Sequence, residues 1–332
     1  MTHDSLMVFD TASLYFRAFY GVPGSLRAPD GTPTNAVRGL LDMLARLIEQ
    51  YRPTRLACAW DNDWRPPWRV TLIPSYKLHR LAPEKVGIVG AGGVGALSGQ
   101  SELAPDELRA QLPIIVEVLD AAGVPIVGVD GYEADDVLAT LARRSDVPTL
   151  VVTGDRDLFQ LAHGDTRVVY VGKGVAKHDL VDSAWVAEHY GVPAEHYADF
   201  AVLRGDPSDG LPGVKGIGDR SAAQLVAAWG DIEGIVAAAD DPASPIGGAL
   251  RSRIAGVIDY LAAAREVVAT VDDLDLPDRD LRVSAFARDQ AALAALGERF
   301  GLGGSLSRFV AALDAVRSGQ PDADPADTGL SR

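Results

Sequence analysis

The chain has 332 residues, 47% of them hydrophobic and 23% charged, with a net charge of −15 and a single cysteine, Cys58. That composition supports a sizeable globular core and excludes an intramolecular disulfide, and no spanning helix is expected, since no apolar run is long enough to cross a bilayer. The acidity argues against a nucleic-acid partner unless the acids gather around cations or the basic residues are segregated onto one face.

The opening MTHDSLMVFD has no basic stretch followed by an apolar one, so a secretory leader is not expected, and one cysteine suits a reducing cytoplasm. LMVFD (6–10) reads as a buried strand ending in an acid, NAVRGLLDMLARLIEQY (35–51) as a helix capped near Asn35, and TRLACAWD (54–61) as a second strand ending in an acid. Cys58 then reads as a small buried strand residue. Residues 62–104 are rich in Pro, Gly and basic residues and read as irregular. A helix is expected over 106–123, stopped by Gly123, then a strand over 124–129 and a helix over 133–145. PTLVVTGD (148–155) is a fourth strand ending in an acid, RDLFQLA a short helix, and TRVVYVG (166–172) a fifth strand. Strands alternating with helices imply a mostly parallel sheet flanked by helices. Beyond about residue 180 the alanine-rich segments 182–190, 195–204, 219–229 and 248–271 read as a smaller helical domain, and the polar tail 314–332 as disordered.

Asp10, Asp61 and Asp155 each end an apolar strand, and Glu133, Asp135 and Asp136 follow the third. In an open parallel sheet the carboxyl ends share one edge, so these acids should converge there. Asp157 lies two residues past Asp155, and Asp206 and Asp209 sit in the loop GDPSDGLPG where the helical domain begins. Taken alone, Glu133, Asp135 and Asp136 suit a helix N-terminus. Taken together, so many carboxylates would repel one another without cations, and an all-oxygen set suits Mg²⁺ or Mn²⁺. Two such ions about 4 Å apart support phosphoryl transfer.

In GVKGIGDRSAAQLVAAWG (213–230), Gly213, Gly216 and Gly218 allow a hairpin whose N–H groups, with the helix start near Asp219, can grip phosphate. Lys215 and Arg220 add charge, and hairpin carbonyls could hold a monovalent cation such as K⁺. This pattern reads as a helix–hairpin–helix for DNA phosphates without base readout. RPPWRVTLIPSYKLHR (65–80), with Trp64 just before it, interleaves Arg65, Arg69, Lys77, His79 and Arg80 with Trp64, Trp68 and Tyr76, a pattern that suits single-stranded nucleic acid. GIVGAGGVG (87–95) fits G-x-G-x-x-G through Gly90, Gly92 and Gly95, but a dinucleotide loop must open a helix. Here GALSGQSELAP follows, and Gly99 and Pro105 break any long helix.

With VFDTASLYFRA, AWDN, YKLHR, GYEADDVLATLA, VVTGDRDLFQL and GDPSDGLPGVKGIG in this order, the chain resembles the 5′-nuclease (flap endonuclease) family over roughly residues 5–310. In particular it is similar to the 5′→3′ exonuclease domain at the front of bacterial DNA polymerase I, with no polymerase domain following, as in a free-standing paralogue. The resemblance implies a PIN-like α/β nuclease domain at 1–180 with a helical arch at about 62–105, and a helical DNA-binding domain at 181–313. It implies two divalent cations. Asp10, Glu133, Asp135 and Asp136 would stand nearest one, Asp155 and Asp157 at a shared position, and Asp206 and Asp209 at the more distant one, with Asp61 completing the set. It further implies that Lys77 and Arg80 reach the scissile phosphate, that Tyr76 stacks in the arch, and that Arg17 and Arg69 touch the strand. The Gly-rich stretch becomes an insertion in the arch that orders on binding. Asp63 is an extra nearby acid, and SDG stands where many relatives have SDN.

The implied reaction is phosphodiester hydrolysis near a single-strand/duplex junction, leaving a 5′-phosphate. The expected partners are DNA with a 5′ flap, nick or junction end, and RNA primer strands, with a monomeric protein and no membrane. Competing readings are a catalytically silent junction-binding protein of the same fold, a smaller acidic-sheet ribonuclease lacking hairpin and arch, and a dehydrogenase.

Overall fold

Continuous runs of Val, Leu, Ile, Ala and Cys build strands buried on both faces, as a parallel sheet under two helical layers requires. The computed structural model describes residues 4–81, 104–284 and 287–318. The Gly-rich stretch, the rest of the arch between 82 and 103, and the tail from 319 onward lie outside the described residues. The strands are β1 (Leu6–Asp10), β2 (Arg55–Ala59), β3 (Ile126–Val127), β4 (Thr149–Thr153), β5 (Thr166–Tyr170) and β6 (Asp179–Val181). They form one sheet in the order β3-β2-β1-β4-β5-β6, parallel except for β6, which runs antiparallel to β5. β6 went unread in the sequence because three residues are too few to show alternation.

Side-chain alternation splits the core into two layers. Leu6, Val8, Ala57, Val151 and Val168 face one layer, and Met7, Phe9, Leu56, Cys58, Val152 and Val169 the other. Cys58 is fully buried, as its strand position implies. The first layer holds the helix Ala134–Arg144 together with the helical segments from Ser183 to Val268. The second holds the helices Thr11–Gly21, Asn35–Tyr51 and Leu112–Ala122, joined by the last two, Gln290–Arg299 and Gly303–Arg317. The chain therefore returns from its helical segments to close on the α/β body.

Four differences from the sequence reading have physical causes, three of them local. The helix Thr11–Gly21 was missed because its N-cap is Asp10 itself, the residue that ends β1. The segment 106–123 splits into Asp106–Arg109 and Leu112–Ala122, because Pro113 has no N–H to continue the ladder, while Gly123 ends it in the left-handed region (φ 79°) as expected. The segment 248–271 breaks at Gly256 into Gly248–Ala255 and Ile258–Val268. Residues 314–317, expected in a disordered tail, finish a helix because Phe309, Leu313 and Val316 are buried in the layer with Leu40, Leu41 and Leu44.

Candidate active site

β1 pairs with β2 on one side and β4 on the other, so the strand order reverses at β1. Helices leaving such a switch point diverge to opposite faces and open a crevice at the carboxyl ends. Asp10 ends β1, Asp61 follows β2 and Asp155 follows β4, so the crevice is framed by acids. A cavity of about 720 Å³ opens there, lined by Asp10, Asp61, Glu133, Asp135, Asp155 and Asp206 together with Lys77, Arg80, Arg156 and Arg204. Phe16, Trp64 and Tyr170 complete its walls. Asp157 and Asp209 border a narrow adjoining gap that also touches Glu133 and Asp135.

Each acid is held by its local backbone. Asp10 caps the helix behind it, accepting from Ser13 N at 2.9 Å and from Thr153 Oγ1 at 2.7 Å. Asp61 accepts from Ala134 N at 2.8 Å, and Asp155 from Asp157 N at 2.9 Å. Asp206 accepts from Ser208 N at 2.8 Å. Glu133 and Asp136 do form a capping box on the helix Ala134–Arg144, so the helix-terminus reading of that triplet is realised alongside the cleft. The extra acid Asp63 lines neither the cavity nor the gap and accepts from Gly131 N at 2.7 Å, fixing the turn before Glu133.

Crowding shows in the protonation behaviour. Burial first, then the charges of Asp61 and Asp155, pushes the Asp10 carboxyl up to about 7. Burial, then Asp10 and Asp155, raises Asp135 well above the usual carboxylate range. Burial, then Asp155 and Asp209, does the same to Asp157. Asp209 is pushed up to about 6, mainly by burial. Glu133 alone goes the other way. Burial would raise it, but Lys77 and Arg69 outweigh burial and hold it low. Among the described residues no three His, Cys, Asp or Glu side chains form a closed ligand cluster as they stand. The oxygen-only donors fit a hard, partly hydrated dication nonetheless, and Asp157 Oδ1 is buried with no partner.

This sets a pH dependence. A carboxyl whose folded value lies above its unfolded one stabilises the fold below the ordinary 3.8 and loses that contribution as pH rises toward about 7. The metal-free protein should therefore melt at a lower temperature at pH 8 than at pH 6, and Mg²⁺ should raise the melting temperature more at pH 8. Melts in EDTA and in Mg²⁺ check this; an Mg²⁺ increment independent of pH would contradict it.

The structure corrects three residue roles. Arg69, expected to touch the strand, is buried; it makes a two-pronged pair with Asp136 (3.0 and 2.7 Å) and stands 3.3 Å from Glu133. Both Asp136 oxygens are thereby occupied, and Asp136, fully buried, lines neither the cavity nor the gap. Tyr76, expected to stack, is buried and donates its hydroxyl to Glu133 at 2.9 Å. The reason is shared: the base of the basic segment folds inward onto the acid triplet. Arg65 is buried too, donating Nε to Tyr76 O at 2.5 Å. Lys77 takes a left-handed backbone (φ 48°), donates its N–H to Asp209 O at 2.9 Å and pairs its ammonium with Glu133. Arg80 pairs with Asp209 at 2.9 Å.

Arg17 is half-buried and donates to Gly172 O at 3.3 Å, at the carboxyl end of β5. In the hairpin, Gly213 spends its N–H on the Tyr260 hydroxyl at 2.9 Å. A Cβ there would lie 2.5 Å from Arg204 O, so close packing requires a glycine at this position. Lys215, Gly216, Gly218 and Arg220 are exposed, and Arg253 lies against Gly216 as a further cation that the sequence reading missed. Trp64, singled out with the basic segment, lines the cavity. Phe16, Tyr170, Arg156 and Arg204 were missed; motif spacing carries no sign that they share a wall.

A mostly parallel sheet with acids gathered at its switch point, joined to a helical module that carries a glycine hairpin, is the PIN-like 5′-nuclease fold. The family model of the 5′-3′ exonuclease N-terminal resolvase-like domain matches residues 5–191, and that of the C-terminal SAM fold matches residues 192–289. The chain belongs to the 5′-3′ exonuclease family. It is 52% identical over 312 residues to a 5′-3′ exonuclease of Streptomyces coelicolor, covering 93% of this chain and 100% of that one. It is 37% identical over 292 residues to DNA polymerase I of Mycobacterium bovis, covering 86% of this chain and 29% of that protein. The flap endonuclease of bacteriophage T5, solved with DNA and metal ions, shares the fold at a TM-score of 0.58 and 16% identity, covering 95% of this chain and 99% of that one.

Proposed function

We propose that this chain is a structure-specific 5′ nuclease that hydrolyses phosphodiesters near single-strand/duplex DNA junctions and depends on two divalent cations, Mg²⁺ or Mn²⁺. The observation that carries this reading is the cavity at the switch point, where six carboxylates of the expected ligand set meet Lys77 and Arg80. The metal ions and DNA in the T5 flap endonuclease structure agree with it. Asp10, Asp61, Glu133, Asp135, Asp155 and Asp206 would hold the cations, with Asp157 and Asp209 reached through the adjoining gap. When bound, such ions offset the carboxylate charge and polarise water and the phosphate oxygens.

Lys77 and Arg80 supply positive charge at the cavity mouth. Both are now spent on Glu133 and Asp209, and a phosphate can take over those charge-assisted bonds. Water adds to phosphorus, the bond to the 3′ oxygen breaks, and the proton passes to that oxygen, leaving a 5′-phosphate and a 3′-hydroxyl. Phe16, Trp64 and Tyr170 offer π-faces to unpaired bases, while Lys215, Arg220 and Arg253 at the hairpin suit duplex phosphates. Recognition is then by shape and charge, which explains how a protein with a net charge of −15 can hold DNA.

A 5′-labelled flap tests the proposal. Cleavage near the junction is expected in Mg²⁺ and none in EDTA; binding without cleavage in either ion would leave a silent junction-binding protein. Lys77→Ala is expected to lower turnover by about 10²-fold with little change in DNA affinity, because the ammonium acts where charge develops. A defect confined to affinity would assign Lys77 to substrate capture.

A further inference from the structure

Arg69 stands where three parts of the chain meet. It comes from the short helix Pro67–Leu72, its guanidinium holds Asp136 and lies beside Glu133, and its Nε donates to Val267 O at 3.0 Å. Val267 belongs to the last turn of the helix Ile258–Val268 in the helical module. Just beyond it, Val271 N donates to Asp136 Oδ1 at 2.9 Å and Thr270 N to Gln160 Oε1 at 3.1 Å. Gln160 Nε2 in turn donates to Val268 O at 3.1 Å and to Asp157 O at 2.7 Å. The segment 267–271 is thus bonded on one side to the acid triplet and on the other to the loop that carries Asp155 and Asp157. At 2% exposure, Arg69 cannot meet a DNA strand without breaking these bonds.

We propose that Arg69 is a positioning residue. With Gln160 and the segment 267–271, it sets the spacing between Glu133 and the Asp155–Asp157 loop, and it ties that spacing to the helical module. A planar fork is needed because the side chain must satisfy two carboxylates and a carbonyl at once; an ammonium presents no such fork. Outer partners of ligating carboxylates are worth about 10- to 100-fold in metal affinity or activity. The inference rests on the nuclease reading of the cavity.

The test is Arg69→Lys, which keeps the charge and removes the fork. Three quantities are read: Mn²⁺ binding to the free protein by calorimetry, flap affinity in Ca²⁺, and kcat and KM across a Mg²⁺ titration. Expected are a Mn²⁺ dissociation constant raised by about 10-fold or more, a kcat that recovers only at higher Mg²⁺, and unchanged flap affinity. Gln160→Ala should shift Mn²⁺ binding the same way from the other side of the segment, and it decides the matter if R69K does not fold. Unchanged Mn²⁺ binding in the variants overturns the proposal, as does a loss confined to flap affinity, which would make Arg69 a DNA contact after all. Failure of the wild-type protein to cleave a flap would instead sink the nuclease reading, while the Mn²⁺ measurement still judges Arg69.

Discussion

Asp155→Asn is expected to abolish cleavage while flap binding and folding survive. Asp155 is half-buried, lines the large cavity, and uses its side chain internally only to accept from Asp157 N. An asparagine can keep that bond through its carbonyl oxygen but loses the negative charge that would help hold a dication. Turnover should fall by at least about 10³-fold, the upper end of what one lost transition-state stabiliser costs. The metal-free variant should also be no less stable than the wild type, because Asp155 contributes repulsion to Asp10, Asp135 and Asp157. Single-turnover cleavage, flap binding in Ca²⁺ and thermal melts in EDTA check the three parts. Parallel loss of binding and cleavage would contradict a catalytic role for Asp155.

Asp136→Asn should behave differently, although sequence alone gives the two aspartates the same standing. Asp136 is fully buried and its oxygens take Arg69, Val271 N and Glu133 N. Neutralising it leaves the Arg69 guanidinium in the interior with Glu133 as its one remaining carboxylate, at 3.3 Å. Removing one partner of a buried pair costs about 3–5 kcal/mol. The loss should appear in chemical denaturation without any metal present. An Asp136→Asn protein with wild-type stability and no cleavage would move Asp136 from this support role to the metal itself.

The contrast between these two variants marks the boundary of what one-dimensional pattern can say. Asp10, Asp61 and Asp155 were legible because apolar runs announce strands and a parallel sheet puts every carboxyl end on one rim. The chain's own letters therefore determined the parallel strands, most of their helical cover, the acidic rim and the glycine hairpin, since each is written in local periodicity and turn chemistry. They could not reveal which acids face the cavity and which are consumed internally. Asp136 differs from Asp135 by one position on a helix, about 100° of rotation, enough to turn it from the cleft toward Arg69. Nor could they show that Arg69, Tyr76 and Lys77, part of a basic and aromatic run suited to a nucleic-acid surface, fold inward. That choice is made by Glu133 and Asp136, more than 50 residues downstream. The closing of the helices Gln290–Arg299 and Gly303–Arg317 on the first half of the chain, and the bonds from the segment 267–271 to both acid loops, are likewise long-range. Only the tertiary structure decides such matters, because a buried charge goes wherever a partner of opposite sign lies within reach, and sequence spacing does not record that distance.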